Sequence, residues 1–92
     1  MSAAPCVLHL VTRLDACLHA AVDADRAAGR EVHCVLLHDA VYALGSDRAP
    51  RCDRLWVGAD DRRRRGLPPG DSALEYPAIV GAMARAMRVT SW

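Results

Sequence analysis

HCVLLHDAVYAL, residues 33–44, changes character halfway along. Up to Leu37 it is almost continuously apolar, and such a run suits a strand that is covered on both faces. From His38 the stretch turns polar and then takes on a helical pattern. The stretch therefore predicts a strand of a parallel α/β sheet, with His38 and Asp39 at its carboxyl end, where ligands gather in such sheets.

The preceding segments complete a βαβ unit. A short apolar run at residues 4–12 has strand length, and Leu14, Leu18 and Val22 then recur at helical spacing up to Gly29. A second strand at residues 31–37 follows this helix. We therefore expect a parallel pair of strands joined by a right-handed crossover.

The rest of the chain continues the alternation of strands and helices. Five further elements are predicted: a short helix at 39–45, a strand at 54–59, a short helix from 60 to 66, a helix at 75–87 and a short strand at 88–92. Asp39 and Asp60 are the expected N-caps of the two short helices. The order describes one domain over residues 1–92, a small flavodoxin-like three-layer α/β/α sandwich with a mainly parallel sheet.

The composition limits the class of protein. The 92 residues carry a net charge of +1, and 52% are apolar, with no Phe. A core of Leu, Val and Ala in so short a chain gives little burial energy, which favours self-association or a partner chain. The balanced charge makes direct nucleic-acid contact a weak expectation. The absence of a spanning apolar run or a basic leader predicts a cytoplasmic protein without membrane attachment.

The four cysteines are too widely spaced for a C-x-x-C motif, so we expect no metal and no cofactor. Cys6 and Cys34 fall in apolar strands and are expected to be small core residues. Cys17 lies at the start of the first helix, where unpaired N–H groups, the helix dipole and nearby Arg13 favour a thiolate. The residues alone nevertheless favour packing for Cys17. Cys52, in a loop between arginines, is the rival thiol.

Two polar features remain open. His38 and Asp39 could form a proton-transfer pair, but a helix cap beside a partly exposed strand end is the stronger interpretation. The run of four arginines at 62–65 follows two aspartates. A solvated helix face is the default interpretation of this run, and an RNA or phosphate contact is the second.

Four segments, in order, resemble the DsrH/TusB branch of the DsrE/DsrF/DsrH-like sulfur-relay family. VLHLV is similar to its opening LHxV strand, VLLHDAVYAL to its LLLxDGVYAA stretch, LWVGADDRRRRGL to its VYALxEDLxARGL stretch, and LEYPAIVGAMARAMRVTSW to its closing segment, including Trp92. The resemblance implies a subunit that carries or helps to transfer persulfide sulfur, for tRNA 2-thiouridine synthesis or dissimilatory sulfur oxidation. It also implies a hetero-oligomer with DsrE/TusD-like and DsrF/TusC-like subunits, served by persulfide donor and acceptor proteins.

The resemblance also assigns roles to single residues. The sulfur-oxidising branch has a cysteine early in the first helix, which makes Cys17 the candidate persulfide carrier, and Asp39 takes the place of the family's aspartate at a strand-to-helix turn. Arg13, His38 and Asp39 are the supporting residues, Arg13 and His38 on the arguments from the residues alone. The chain would then be a carrier rather than a turnover enzyme. The segment before Tyr76 is shorter than in the family, so a strand there should be reduced or missing. The alternative function is a non-catalytic structural subunit or a stand-alone oligomeric module with inert cysteines.

Overall fold

The computed structural model describes residues 6–68 and 70–92 of the chain. The described residues form an all-parallel, five-stranded sheet, three α-helices and one 3₁₀ helix. The strands are β1 (Cys6–Val11), β2 (Glu31–Leu36), β3 (Arg54–Gly58), β4 (Ala73–Leu74) and β5 (Arg88–Ser91). The helices are α1 (Ala16–Ala27), the 3₁₀ helix (His38–Ala43), α2 (Ala59–Arg64) and α3 (Tyr76–Arg85). Every helix in this part of the chain is too short or too polar for a transmembrane span.

The strands lie in the order β4-β3-β2-β1-β5, which confirms the predicted parallel α/β sheet. β1 pairs with β2 along its whole length, from Cys6 opposite Glu31 to Val11 opposite Leu36. The chain builds β1 to β4 in one direction and then returns through α3 to place β5 on the other side of β1. The connection from β1 to β2 through α1 and the connection from β4 to β5 through α3 run in opposite directions across the sheet. Because parallel crossovers are right-handed, such connections place their helices on opposite faces of the sheet.

Alternate side chains of the strands enter two separate apolar clusters. Val7 of β1 packs in one cluster with Leu18 of α1, and Leu8 packs in the other with Ile79 of α3. Successive side chains of a strand point to opposite faces, so each cluster belongs to one face of the sheet. Each fully buried Val or Leu contributes about 1.5–3 kcal/mol of transfer free energy.

α1 has the start and stop signals of a short amphipathic helix. Asp15 is its N-cap, and the Asp15 carboxylate accepts a hydrogen bond from the Leu18 N–H at 2.9 Å. Ala28 is the C-cap of the helix, and Gly29 follows with φ of 81°, the left-handed conformation that the predicted helix end requires. The apolar stripe of α1 faces the sheet through the buried Leu18 and Val22.

The two N-caps predicted for the short helices are wrong. Leu37 caps the 3₁₀ helix, and Asp39 lies inside that helix, because the turn starts one residue earlier at His38, with φ of 55°. Gly58 caps α2, and Asp60 lies in its first turn, because the helix follows β3 without a loop. Both aspartates still complement the positive end of a helix dipole.

The segment before α3 contains the reduced strand that the resemblance implied. β4 has two residues and pairs with β3 at Val57 and Gly58. α3 then ends at Arg85, two residues before the predicted end. The cause is that the Met87 N–H donates to the Cys6 carbonyl at 2.8 Å, which aligns the chain with β1 for β5.

Candidate functional site

Cys17 is exposed in the first turn of α1, at the carboxyl edge of the sheet. The turn after β1 places Cys17 at this edge. The N-cap Asp15 accepts its hydrogen bond from the Leu18 N–H and makes none with the Cys17 thiol. Within the residues that the structure describes, no hydrogen bond engages the Cys17 thiol. The packing interpretation of Cys17 is therefore wrong, since this thiol is open to attack or transfer while Leu18 and Val22 fill the core.

The supporting residues are at the same edge, but among the described residues no hydrogen bond or ion pair joins them to Cys17. Arg13 is exposed and makes no ion pair with a described residue. His38 Nδ1 lies 3.7 Å from Asp39 Oδ2, too long for a hydrogen bond. Asp39 Oδ1 instead accepts from Arg65 Nε at 2.9 Å. The proton-transfer pair proposed for His38 and Asp39 is thus not assembled, because Asp39 is paired with Arg65, the C-cap residue of α2.

A small cavity of about 130 Å³ opens beside this ion pair. Asp39 and Arg48 supply its charged groups, and Thr12 and Tyr42 supply hydroxyl groups. Cys17 is not among the residues that line it. The cavity could hold a few waters or a small polar group, but the exposed thiol is at a different place on the edge.

The arginine run is largely paired within the chain, and only part of it is a solvated face. Arg65 is mostly buried, with a side-chain exposure of 15%, and it contacts Asp39 and Asp61. Arg63 makes a two-pronged ion pair with Glu75 at 2.8 and 3.1 Å. Arg64 contacts an aspartate one turn earlier in α2. The run therefore presents less free positive charge than its sequence suggests.

Cys52 and Cys34 form a thiol pair that sequence reasoning missed. Cys34 is fully buried in β2, as predicted, and Cys52 is half-buried in the loop before β3. The neighbouring Cys34 thiol holds the pKa of Cys52 below its ordinary value, against the effect of burial. The same contact, together with burial, raises the pKa of Cys34. Cys52 is therefore the more nucleophilic member of the pair.

A buried polar network joins β1, α1 and β5. His9 and Asp25 are 1% and 4% exposed, and His9 Nε2 lies 2.9 Å from Asp25 Oδ2. The Trp92 indole N–H donates to His9 Nδ1 at 2.9 Å. Since Nδ1 accepts, the ring proton is on Nε2 and is donated to Asp25. Arg88 and Arg30 also donate to the Asp25 carboxylate.

This network stabilises the fold and has no free group for catalysis. Both His9 nitrogens are engaged, so the ring has no lone pair for a substrate. Burial would raise the pKa of Asp25, but the hydrogen bonds from Arg88 and His9 outweigh it and hold that pKa below its usual range. Asp25 is thus a carboxylate that ties β5 to α1.

Three side chains of types that can coordinate a metal ion lie close together at the amino edge of the sheet. The ligand atoms of Cys6, Glu31 and His33 all lie within 4.8 Å of one another. The sequence-based expectation of no metal missed this group because its members come from two strands and have no helical ligand spacing. Strand register brings them together, with Cys6 directly opposite Glu31.

The chain matches no family model, no curated protein and no solved structure. The resemblance to the DsrH/TusB branch therefore rests on the residue patterns alone.

Proposed function

We propose that this protein is a subunit of a cytoplasmic sulfur-relay complex, with Cys17 as a carrier of persulfide sulfur. A flavodoxin-like three-layer sandwich would be its scaffold, and tRNA 2-thiouridine synthesis or dissimilatory sulfur oxidation would be its pathway. The observation that carries the proposal is the exposed Cys17 thiol in the first turn of α1. The resemblance supports it, because the matching family position holds a sulfur-linked cysteine.

The transfer needs no cofactor and balances on two thiols. The Cys17 thiolate attacks the outer sulfur of a donor cysteine persulfide, a new S–S bond forms on Cys17, and the donor leaves as a thiolate. The acceptor protein repeats the step on Cys17. The step requires a thiol that a second protein can reach. Cys17 meets this requirement, whereas Cys34 is fully buried.

The surface of α3 supports the assembly part of the proposal. Val80 and Met83 are 49% and 37% exposed, and they lie on one side of the helix with Tyr76. Met87 and Val89 extend the exposed apolar surface beyond the helix end. We call these five residues the α3 face. Contiguous exposed apolar patches mark interaction sites, and a DsrE- or DsrF-like subunit is the proposed partner of the α3 face.

The structural alternative keeps the same assembly but gives the cysteines no role. It is favoured if the α3 face binds partner subunits while Cys17 accepts no sulfur. The RNA interpretation of residues 62–65 has less support, because Arg63, Arg64 and Arg65 already contact carboxylates of the same chain.

The deciding experiment is sulfur transfer from a persulfidated donor protein or polysulfide, read by peptide mass. We expect the Cys17 peptide to gain the mass of one sulfur, since Cys17 is the exposed thiol. Cys17→Ser should abolish this gain and leave the fold and assembly intact, because the side chain is outside the core.

Cys52→Ser is the matched control and should leave the gain on the Cys17 peptide unchanged. If sulfur appears on the Cys52 peptide in the wild type and the Cys17 peptide gains none, the carrier proposal fails and the structural alternative takes its place.

A further inference from the structure

We propose that Cys6, Glu31 and His33 form a zinc-binding site at the amino edge of the sheet. Their thiol, carboxylate and imidazole atoms all lie within 4.8 Å of one another. Sulfur, nitrogen and oxygen ligands in this combination are those that Zn²⁺ takes in proteins. The site is at the opposite edge of the sheet from Cys17, so it is independent of the proposed sulfur carrier.

The backbone fixes the three ligands relative to one another. Cys6 and Glu31 begin β1 and β2 and are direct partners in the parallel ladder. His33 is two residues after Glu31, so both side chains point to the same face of the sheet. Glu31 Oε2 and His33 Nε2 are already 2.6 Å apart. Strand positions hold such a ligand set with more precision than loop positions do.

The surroundings of the cluster favour metal over simple packing. The Trp56 ring meets the His33 ring edge to face, with centroids 5.2 Å apart, which limits rotation of the imidazole. Among the described residues, the Cys6 thiol makes one long hydrogen-bond contact, of 3.8 Å to the Val7 carbonyl, and no stronger one competes with a metal. His33 and Glu31 are 18% and 44% exposed, which leaves a path for the ion and room for a water as fourth ligand.

The charge at the cluster also favours a cation. The carboxylates of Glu31 and Asp53 lie close enough to the Cys6 thiol to act on it electrostatically. Without a cation these carboxylates repel a thiolate at this place. A bound Zn²⁺ reverses the effect, because a coordinating thiol is deprotonated by the ion.

The test is titration of the full chain with Zn²⁺, with thiols reduced and without an affinity tag, and with Co²⁺ as a spectroscopic probe. We expect one Zn²⁺ per chain and, with Co²⁺, a thiolate-to-metal charge-transfer band. Cys6→Ser should remove that band. Glu31→Gln should weaken Zn²⁺ binding by at least about tenfold, because even the loss of a group that only hydrogen-bonds a metal ligand costs about 10–100-fold in affinity.

Glu31 is exposed, so Glu31→Gln should keep the fold, and its thermal unfolding without metal should match the wild type. Cys17→Ser and His38→Gln are the matched controls and should bind Zn²⁺ as the wild type does. The proposal is overturned if the wild type binds no Zn²⁺. It is equally overturned if the band survives in Cys6→Ser or disappears in Cys17→Ser.

Discussion

At the scale of single residues, the pairing of Cys34 with Cys52 is open to a direct test. Cys34→Ala removes the thiol donor, so the pKa of Cys52 should rise towards its ordinary value. Alkylation of Cys52 near neutral pH should then slow, because the thiolate is the nucleophile. The measurement is the alkylation rate of the Cys52 peptide as a function of pH, followed by mass spectrometry.

Cys34→Ser is the matched control for this change. Its hydroxyl can still donate to Cys52, so the pH midpoint of alkylation should stay nearer to that of the wild type. Equal midpoints in the wild type and Cys34→Ala would show that Cys34 does not control the neighbouring thiol.

The sequence predicts one half of this pair and misses the other. Cys34 lies in an apolar strand, and burial follows from that pattern alone. Its contact with Cys52 depends on how the loop after the 3₁₀ helix folds back onto β2, and no local pattern encodes that path.

Cys17 illustrates the reverse case. Its helix and the buried stripe of Leu18 and Val22 were predictable, but Cys17 lies beside that stripe, and its exposure could not be predicted from the spacing alone.

At the scale of elements, the contact between Asp25 of α1 and Arg88 of β5 stabilises the position of β5 in the sheet. Asp25→Ala leaves Arg88 and His9 without their shared acceptor. We expect the free energy of unfolding to fall by at least about 2 kcal/mol, since hydrogen bonds to a buried charged group are lost. Asp23→Ala, an exposed change on the same helix, should stay within about 0.5 kcal/mol. Urea unfolding of the two variants measures the difference, and equal losses would contradict the role of Asp25.

The same network predicts an acid dependence of stability. Because the folded state lowers the pKa of Asp25 below its ordinary 3.8, Asp25 adds stability above that value. This contribution is lost as the pH falls through the lowered pKa. The gap in stability between the wild type and Asp25→Ala should therefore be constant above the ordinary value and shrink below it. Unfolding curves collected across the acid range would detect this, and a gap independent of pH would rule it out.

Signals for this network were present in the sequence. Asp25 follows Leu18 and Val22 at the spacing of the buried stripe of α1. His9 lies between Val7 and Val11 in β1, two residues from each, so all three share one face of the strand. A polar residue at an inward-facing position calls for a buried partner. The partners themselves could not be predicted, because Arg88 and Trp92 come from the far end of the chain and meet α1 only through the sheet order.

At the scale of the whole molecule, the α3 face predicts association. Val80→Glu combined with Met83→Glu should reduce the mass measured by light scattering towards one chain and weaken binding of DsrE- or DsrF-like partners. The reason is that charges are costly in an apolar interface. The fold should persist, because both side chains are exposed in the single chain.

Ala20→Glu combined with Ala27→Glu adds the same charge to exposed positions of α1 and should leave the mass unchanged. A wild-type protein that stays monomeric and binds neither partner would contradict the relay-subunit proposal.

The helical spacing of residues 75–87 predicted an apolar helix here. It could not predict that only Ile79 would be buried against the sheet, since that depends on how α3 crosses it.

The position of β5 beside β1 has a consequence for synthesis of the chain. Val7 pairs with Arg88 and Leu10 with Ser91, so one edge of β1 has no partner strand until the ribosome has made residues 88–91. A nascent chain that stalls earlier presents the unpaired N–H and C=O groups of β1 to its neighbours, and such edges template aggregation. Interrupted translation of this protein should therefore produce insoluble fragments even when β1 to β4 are complete.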